Sequence, residues 1–301
     1  MKKLLKLIYK NLPFKKEIFS VVKLIGTPPA SIYKHLHFQG KFKINIENLY
    51  FWMNHYGFLI ENEIFWNGLQ GRYEKVSLDC WINLSKISHV ILDVGANTGL
   101  YSLVSKTVNP AAEVYAFEPV HRVFTKLQEN CELNQYKINC CQLALSNYDG
   151  KGIIYDTPTD HVYSVTVNKN LLANDSSVIE TKIITCKLAS FIKDRKIPHI
   201  DLIKIDVETH EAEVLEGFEE YLQLMKPSIL LEILNLEIGE KVEKIVENKG
   251  YLYFKIDEIN SPEKVDFIMP NSLINSTNHD SYGNYLLCTK EIAKQLKLIN
   301  D

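Results

Sequence analysis

Short apolar runs alternate with amphipathic segments from residue 89 to the C-terminus. Runs of strand length predict seven strands, which are HVILDVG, EVYAFEP, INCCQLALS, IDLIKIDVE, PSILLEI, YLYFKID and NYLLCTK. Segments of helical periodicity fall between them: TGLYSLVSKTV, VHRVFTKLQENCELN, THEAEVLEGFEEYL and residues 237–248. Buried strands that alternate with helices predict an α/β fold, a doubly wound and mostly parallel sheet with helices on both faces.

Two regions depart from this alternation. GKGIIYDT and SVIETKIITC predict a hairpin inserted beside the third strand, at about residues 151–186. Residues 46–86 are rich in aromatic side chains, and apolar alternation around Phe58 and Trp66 predicts short strands, followed by a helix near 74–86. These aromatic residues would form a small packed cap or line a substrate groove.

Charge is distributed unevenly over the 301 residues, whose net formal charge is −3. Residues 1–45 carry ten lysines and one acid, Glu17, which gives +9 and leaves −12 for the remainder. An acidic body argues against nucleic acid as the main substrate, because phosphate neutralisation dominates such affinity. We therefore divide the chain into a basic N-terminal arm (1–45), an aromatic-rich extension (46–86) and an α/β domain (87–301).

The basic arm has two open interpretations. Apolar residues recur in it at helical spacing: Leu4, Leu5, Ile8, Leu12 and Phe19. A basic amphipathic helix can make a peripheral contact with anionic lipid, whereas a solvated arm would dock on the body of the protein. No apolar run is long enough for a transmembrane helix, and the six cysteines lack CxxC spacing, which predicts a cytoplasmic protein with reduced thiols.

The first strand ends in DVGANTG, a turn with two glycines before a predicted helix. The turn is neither a phosphate loop nor a dinucleotide fingerprint, since Asn97 and Leu100 stand where the fingerprint requires glycine. Glu118 closes the second strand, where a carboxylate can accept hydrogen bonds from ribose hydroxyls. An acid at Asp93, before Gly95, suits a sulfonium charge better than a pyrophosphate. These features indicate S-adenosylmethionine as the cofactor rather than NAD.

The fourth strand ends in DVETHE, which places four ionisable side chains where a strand meets a helix. His210 is the natural general base, because the ordinary pKa of histidine lies near neutrality. Glu208 could instead cap the helix, and Glu211 could lie in its first turn, where acids are favoured. Asp206, Glu208 and His210 match no strong metal-binding spacing, so no metal is expected.

Together these blocks resemble the FkbM family of S-adenosylmethionine-dependent methyltransferases. The resemblance covers about residues 86–255 and rests on the order of VILDVGANTG, VYAFEP, ALSNYDG, IDLIKIDVETHEAEVLEGF and KPSILLEI, with FWNGLQGRYEK upstream. It implies the class I methyltransferase fold, a Rossmann-like sheet of seven strands whose last strand is antiparallel. It also implies O-methylation of a small-molecule or glycan acceptor, often at a sugar hydroxyl, as in polysaccharide biosynthesis.

The resemblance also implies a cofactor site. Four residues of the glycine turn would surround the methionine part of S-adenosylmethionine: Asp93, Gly95, Asn97 and Gly99. Glu118 would bind the ribose, and Leu143 or Ala144 would lie near the adenine, largely through backbone groups.

At the fourth strand, Asp206, Glu208 and His210 would face the transferring methyl group and the acceptor, with Asp206 also beside the cofactor. Glu232, at the end of the fifth strand, would touch the acceptor or hold His210. Two positions depart from the family pattern: Thr209 replaces the glycine of Glu-Gly-x-Glu, and Ala189 replaces a frequent aspartate.

The expected reaction is an in-line displacement, in which an acceptor oxygen attacks the methyl carbon and His210 removes the proton. One alternative is methylation of nitrogen in a macromolecule, but the Asn/Asp-Pro-Pro-Tyr/Phe motif of such enzymes is absent after the fourth strand. Another is a cofactor-binding or glycan-binding module without turnover. The acids between residues 206 and 211 count against that module.

Overall fold

The computed structural model describes residues 12–71, 73–156, 166–167, 179–268 and 283–300. The chain forms two compact units, Met1–Tyr73 and Glu74–Asp301. Among the described residues, no helix is both long and apolar enough to cross a membrane.

The N-terminal unit consists of a β-hairpin and short helices. Its described helices are α1 (Lys15–Ile25), α2 (Ala30–Tyr33) and α3 (Leu59–Asn67), and its strands are β1 (Gly40–Ile46) and β2 (Leu49–His55). The strands pair antiparallel from Gly40 opposite His55 to Ile46 opposite Leu49, and alternate residues of each strand are buried. β1 thus begins inside the segment that the sequence assigned to the basic arm.

Helix α3 occupies the segment around Phe58 and Trp66, so the short strands predicted there were wrong. Phe65 and Trp66 are adjacent in the chain and both are buried, which a strand with one exposed face does not allow. Aromatic rings pack closely in this unit. The ring centroid of Trp66 lies 5.6 Å from that of Phe19, and that of Phe65 lies 4.7 Å from that of Phe38.

The C-terminal unit contains the remaining elements. Its described strands are β3 (Val90–Val94), β4 (Glu113–Phe117), β5 (Ile138–Cys141), β6 (Ala144–Ser146), β7 (Gly150–Asp156), β8 (Thr166–Val167), β9 (Ile179–Lys187), β10 (Leu202–Ile205), β11 (Ser228–Ile233), β12 (Leu252–Ile256), β13 (Glu263–Val265) and β14 (Gly283–Cys288). Its described helices are α4 (Lys75–Ile87), α5 (Leu100–Val108), α6 (His121–Leu133), α7 (Leu188–Arg195), α8 (Glu211–Glu216), α9 (Glu220–Met225), α10 (Leu236–Val246) and α11 (Lys290–Gln295).

The main sheet has the strand order β13-β12-β14-β11-β10-β3-β4-β5. Five neighbouring strands of this sheet are parallel to one another: β11, β10, β3, β4 and β5. The strand β14 lies between β11 and β12 and is antiparallel to both. This order confirms the predicted doubly wound sheet with an antiparallel last strand, the class I methyltransferase architecture. The edge strand β13 is an addition that the sequence pattern did not predict.

The predicted third strand, INCCQLALS, is in fact two strands in different sheets. β5 ends at Cys141 in the main sheet, and a turn in which the Leu143 N–H donates to the Cys141 carbonyl at 3.0 Å redirects the chain. β6 then joins a second sheet of order β6-β9-β7-β8. In that sheet β7 and β9 pair antiparallel at the place of the predicted hairpin. Residues 157–165 and 168–178 of that segment lie outside the described residues.

Two further boundaries differ from the sequence pattern. The helix predicted over THEAEVLEGFEEYL is broken into α8 and α9 by a turn in which Glu219 has a φ of +54°. Gly217, in the same turn, packs so closely on β6 that a Cβ atom would lie 2.0 Å from the Ser146 carbonyl oxygen. The C-terminal unit begins at Glu74 rather than at residue 87, since α4 packs within it. The Trp81 indole N–H, for example, donates to the Tyr101 carbonyl at 3.0 Å.

Candidate active site

The carboxyl ends of β3, β10 and β11 meet at one edge of the main sheet. Strand register places Ile205 level with Val94 on one side and Leu231 on the other. The next residue of each chain segment lies at this edge, in the order Gly95, Asp206 and Glu232. From β3 the chain adds strands toward one edge of the sheet (β4, β5), and from β10 it adds them toward the other (β11, β14, β12). Open α/β sheets bind ligands where the strand order reverses in this way.

The glycine turn after β3 passes directly against the end of β10. A Cβ atom at Gly95 would lie 1.8 Å from the carbonyl oxygen of Asp206, and Gly95 has a φ of +81°. Its backbone N–H donates to the Phe117 carbonyl of β4 at 3.0 Å. Gly99 has a φ of +95°, and a Cβ atom there would approach Leu127 Cδ1 at 2.6 Å. Close approach and positive φ therefore require glycine at Gly95.

Asp93 is buried and directs its carboxylate at the start of α5. Its Oδ2 accepts hydrogen bonds from the Ser102 backbone N–H at 2.9 Å and from Ser102 Oγ at 2.7 Å. Burial raises the pKa of Asp93, while Lys204 and Ser102 oppose the rise. Asp93 thus fixes the helix that follows the glycine turn, and its contact with the methionine part of a cofactor stays a prediction.

Glu118 ties the end of β4 to the same turn. Its Oε2 accepts a hydrogen bond from the Asn97 backbone N–H at 3.2 Å, and its Oε1 accepts one from the Val120 N–H at 2.9 Å. A carboxylate oxygen can accept two hydrogen bonds, so these contacts are compatible with ribose hydroxyls as further donors. Asn97 has a φ of +49°, which asparagine tolerates better than most residues.

The two residues expected near the adenine follow the end of β5. Leu143 packs against the core of the main sheet, whereas Ala144 is buried in a cluster with Val120 and Ile154. Their side chains are therefore part of the hydrophobic core. A contact with adenine stays a prediction that concerns their backbone groups.

Four carboxylates gather around the end of β10 and are called here the carboxylate cluster: Glu74, Asp206, Glu208 and Glu232. Lys204 lies among them, with Nζ 2.6 Å from Asp206 Oδ2 and 4.5 Å from the ring centroid of Tyr101. Burial lowers the pKa of Lys204, but Asp206, Glu74 and Asp93 more than offset this and raise it above its ordinary value. Lys204 is therefore a permanent positive charge within the cluster.

Glu74 belongs to the cluster although it lies far away in the sequence. It precedes α4, and its Oε2 accepts a hydrogen bond from Tyr101 Oη at 2.6 Å. Glu258, between β12 and β13, holds the start of α4 by accepting hydrogen bonds from the backbone N–H groups of Val76 and Ser77 at 2.8 and 3.2 Å. Burial raises the pKa of Glu74. Sequence reasoning missed these residues because only the fold joins them.

Glu208 and Glu232 are half-buried, and within the described part of the chain neither accepts a hydrogen bond or forms an ion pair. Burial, followed by the charges of Asp206 and Glu211, raises the pKa of Glu208 to about 8. Burial and the other members of the cluster raise the pKa of Glu232 well above its usual range. Unpaired, partly buried carboxylates at a strand edge are typical of ligand-binding and catalytic positions.

The loop that carries Glu208 has a strained backbone. Glu208 and Thr209 have φ values of +52° and +76°, and the left-handed region is disfavoured for a β-branched residue. Glu211 holds the loop, since its Oε1 accepts hydrogen bonds from the N–H groups of Val207 and Thr209 at 3.3 and 3.2 Å. Thr209, which departs from the family pattern, thus occupies a backbone conformation that favours glycine.

His210 is buried beside β6. Its Nε2 lies 3.0 Å from Ser146 Oγ, and its Nδ1 lies 3.6 Å from Glu213 Oε2. Both ring nitrogens therefore have polar neighbours in the protein, an arrangement that holds α8 against β6. Neither Ser146 nor Glu213 was linked to His210 by the sequence, and the assignment of His210 as the base stays a prediction.

The structure thus brings together Asp206, Glu208 and Glu232 of the predicted site and adds Glu74 and Lys204 to them. Within the described residues, no group of three or more histidine, cysteine, aspartate or glutamate side chains has an arrangement that could hold a metal ion. The described residues at this edge thus include the four carboxylates of the cluster and the positive charge of Lys204.

Comparison with known proteins gives the family. The model of the methyltransferase FkbM domain matches residues 93–253, just over half of the chain. The chain is 29% identical over 188 residues to methyltransferase sdnD of Sordaria araneosa, covering 54% of this chain and 73% of that protein. It is 26% identical over 186 residues to hexuronic acid methyltransferase AglP of Haloferax volcanii, covering 60% and 69%. It is 29% identical over 157 residues to 31-O-demethyl-FK506 methyltransferase FkbM of Streptomyces tacrolimicus, covering 44% and 60%.

Solved structures show a weaker likeness. An S-adenosylmethionine-dependent methyltransferase from Agrobacterium tumefaciens has 12% sequence identity and a TM-score of 0.46, covering 84% of this chain and 71% of that one. The family model, together with the order of the main sheet, shows that this chain belongs to the FkbM family of methyltransferases.

Proposed function

We propose that this protein transfers a methyl group from S-adenosylmethionine to a hydroxyl oxygen of a sugar, a glycan or a related small metabolite. The observation that carries the proposal is the pair of carboxylates, Glu208 and Glu232, that have no partner among the described residues at the ligand-binding edge of the sheet. A sugar hydroxyl is a poor nucleophile, so its methylation needs a positioned proton acceptor. These carboxylates can supply one.

The residues at this edge fit S-adenosylmethionine. The glycine turn lies against the end of β10, where a Cβ atom at Gly95 would collide, and Glu118 presents carboxylate oxygens beside that turn. The acidic edge suits a positively charged ligand and disfavours a pyrophosphate. When bound, this cofactor supplies an electrophilic methyl group on a sulfonium centre.

Glu208 is the member of the cluster best suited to remove the acceptor proton. Asp206 is paired with Lys204 at 2.6 Å, and His210 lies between Ser146 and Glu213. A pKa of about 8 places Glu208 close to neutrality, where a base is most effective. Glu232, at the same edge, would accept a hydrogen bond from a second hydroxyl of the acceptor.

The relatives support an oxygen acceptor. One is named for a hexuronic acid and another for the 31-O position of its substrate. Orientation of the acceptor by the cluster would contribute alongside proton removal, because holding two reactants in line removes much of the entropic barrier.

The test measures turnover on a panel of neutral sugars, hexuronic acids and glycan acceptors. Release of the demethylated cofactor reports the rate, and NMR identifies the product. We expect a new O-methyl group. Glu208→Gln should lower kcat by about 10²–10⁴-fold and leave the cofactor Kd unchanged in calorimetry. In the wild type, kcat/KM should rise with pH as Glu208 ionises near pH 8, and the variant should lack this rise.

Glu240→Gln, at an exposed position of α10, is the matched control and should behave as the wild type. If Glu208→Gln keeps full turnover and His210→Ala has a much lower kcat, His210 and not Glu208 is the base. Cofactor binding without turnover on any acceptor would favour a binding module, and an N-methyl product would contradict the hydroxyl acceptor.

A further inference from the structure

Large apolar side chains form a stripe on the solvent side of α1. We call it the α1 stripe, and its members are Phe14, Ile18, Val21, Leu24 and Ile25. Phe14, Val21 and Ile25 are 74%, 58% and 87% exposed. The spacing of three and four residues places Ile18, Val21 and Ile25 on one face of the helix. Leu24 lies at the margin of that face, and Phe14 immediately precedes the helix.

The opposite face of α1 is already used by the N-terminal unit. Phe19 is buried against Trp66, and the amino group of Lys23 lies 5.3 Å from the ring centroid of Phe65. Thr27, just after the helix, donates to the Trp66 carbonyl at 3.1 Å. These contacts fix the orientation of α1 and leave the stripe facing outward.

Charge indicates what the stripe contacts. Residues 12–45, which the structure describes, contain six lysines and one acid, a formal charge of +5. Two copies that met through this same face would bring like charges together, whereas an anionic surface would attract it. Residues 46–301 carry −12 and would be repelled by the same surface. This asymmetry leaves the N-terminal segment as the point of contact.

We infer that α1 docks on a membrane surface rich in anionic lipid, with the α1 stripe in the boundary between headgroups and acyl chains. A helix with an apolar stripe and a basic environment lies in the plane of such a surface without crossing it. Phe19, which the sequence pattern placed on the apolar face, is not part of the contact because it belongs to the core.

The test uses the full chain and sedimentation with vesicles. We expect binding to vesicles of phosphatidylglycerol and phosphatidylcholine in equal parts, weaker binding to phosphatidylcholine alone, and release at high salt. The double variant Val21→Gln and Ile25→Gln keeps the charge and the helix but should bind about tenfold or more weakly, since each side chain buries apolar surface in the lipid.

Leu224→Gln is the matched control, because Leu224, like Val21 and Ile25, is an exposed aliphatic residue on a helix, but on α9 and outside the stripe. It should bind as the wild type does, and the melting temperature of every variant should be unchanged. Equal vesicle binding by the wild type and the double variant, or no binding by the wild type, would overturn the inference. Light scattering that shows a dimer lost in the double variant would assign the stripe to a second copy instead.

Discussion

Replacing Glu208 by glutamine removes one ionisable carboxyl group from the carboxylate cluster and keeps the size of the side chain. The folded-state pKa of Glu208, about 8, lies above its ordinary value of 4.5, so the folded protein binds more protons than the unfolded chain between these values. The contribution of this group to stability is therefore present at low pH and is lost as pH rises through about 8. Glutamine does not ionise, so the variant does not lose stability at this position as pH rises.

The size of the stability change follows from the difference between these two pKa values. A shift from 4.5 to about 8 corresponds to at most about 5 kcal/mol of repulsion and desolvation in the ionised state. Because Glu208 is only half-buried and water screens its charge, we expect Glu208→Gln to gain about 1–2 kcal/mol over the wild type at alkaline pH. Near pH 5 both proteins should have almost the same stability.

The assay is urea-induced unfolding of the wild type and the variant, measured from about pH 5 to about pH 9. Glu240→Gln, at an exposed position of α10, controls for the loss of a surface charge and should not show the trend. Parallel curves for Glu208→Gln and the wild type across the whole range would refute the reasoning, since they would mean that Glu208 does not ionise against its neighbours.

Two further predictions concern the backbone at the same edge. Thr209→Gly should raise the free energy of unfolding by about 1 kcal/mol, because Thr209 has a φ of +76° and glycine adopts this conformation without strain; a loss of stability in urea titration would contradict this. Gly95→Ala should remove cofactor binding in calorimetry and lower the melting temperature, since its Cβ atom would lie 1.8 Å from the Asp206 carbonyl oxygen; retained cofactor affinity would show that the turn can move away from β10.

Much of the fold could be predicted from the sequence because its signals are local. Buried parallel strands are continuous apolar runs, and β3, β4, β10 and β11 appear near their predicted positions. Prediction failed where tertiary contacts outweigh local pattern. The segment around Phe58 and Trp66 is a helix, and the helix predicted after β10 is interrupted at Glu219, beside the close contact of Gly217 with β6.

The candidate site divides in the same way. The ends of four strands, β3, β4, β10 and β11, could be predicted because a strand end followed by glycine or acids is a local feature. The residues predicted there lie at the carboxyl ends of these strands in the structure: Gly95, Glu118, Asp206 and Glu232. Sequence alone therefore determined the family and indicated which groups gather at one edge of the sheet.

Only the tertiary structure decided which neighbours those groups have and how deeply they are buried. Tyr101 and Lys204 come from separate elements, and Glu74 is held in place through Glu258, about 180 residues away. The partners of a side chain and its desolvation depend on what the rest of the chain packs around it, and these set its protonation. For that reason the fold, and not the sequence, shows that His210, the predicted base, has Ser146 and Glu213 as neighbours, while Glu208 has no partner among the described residues.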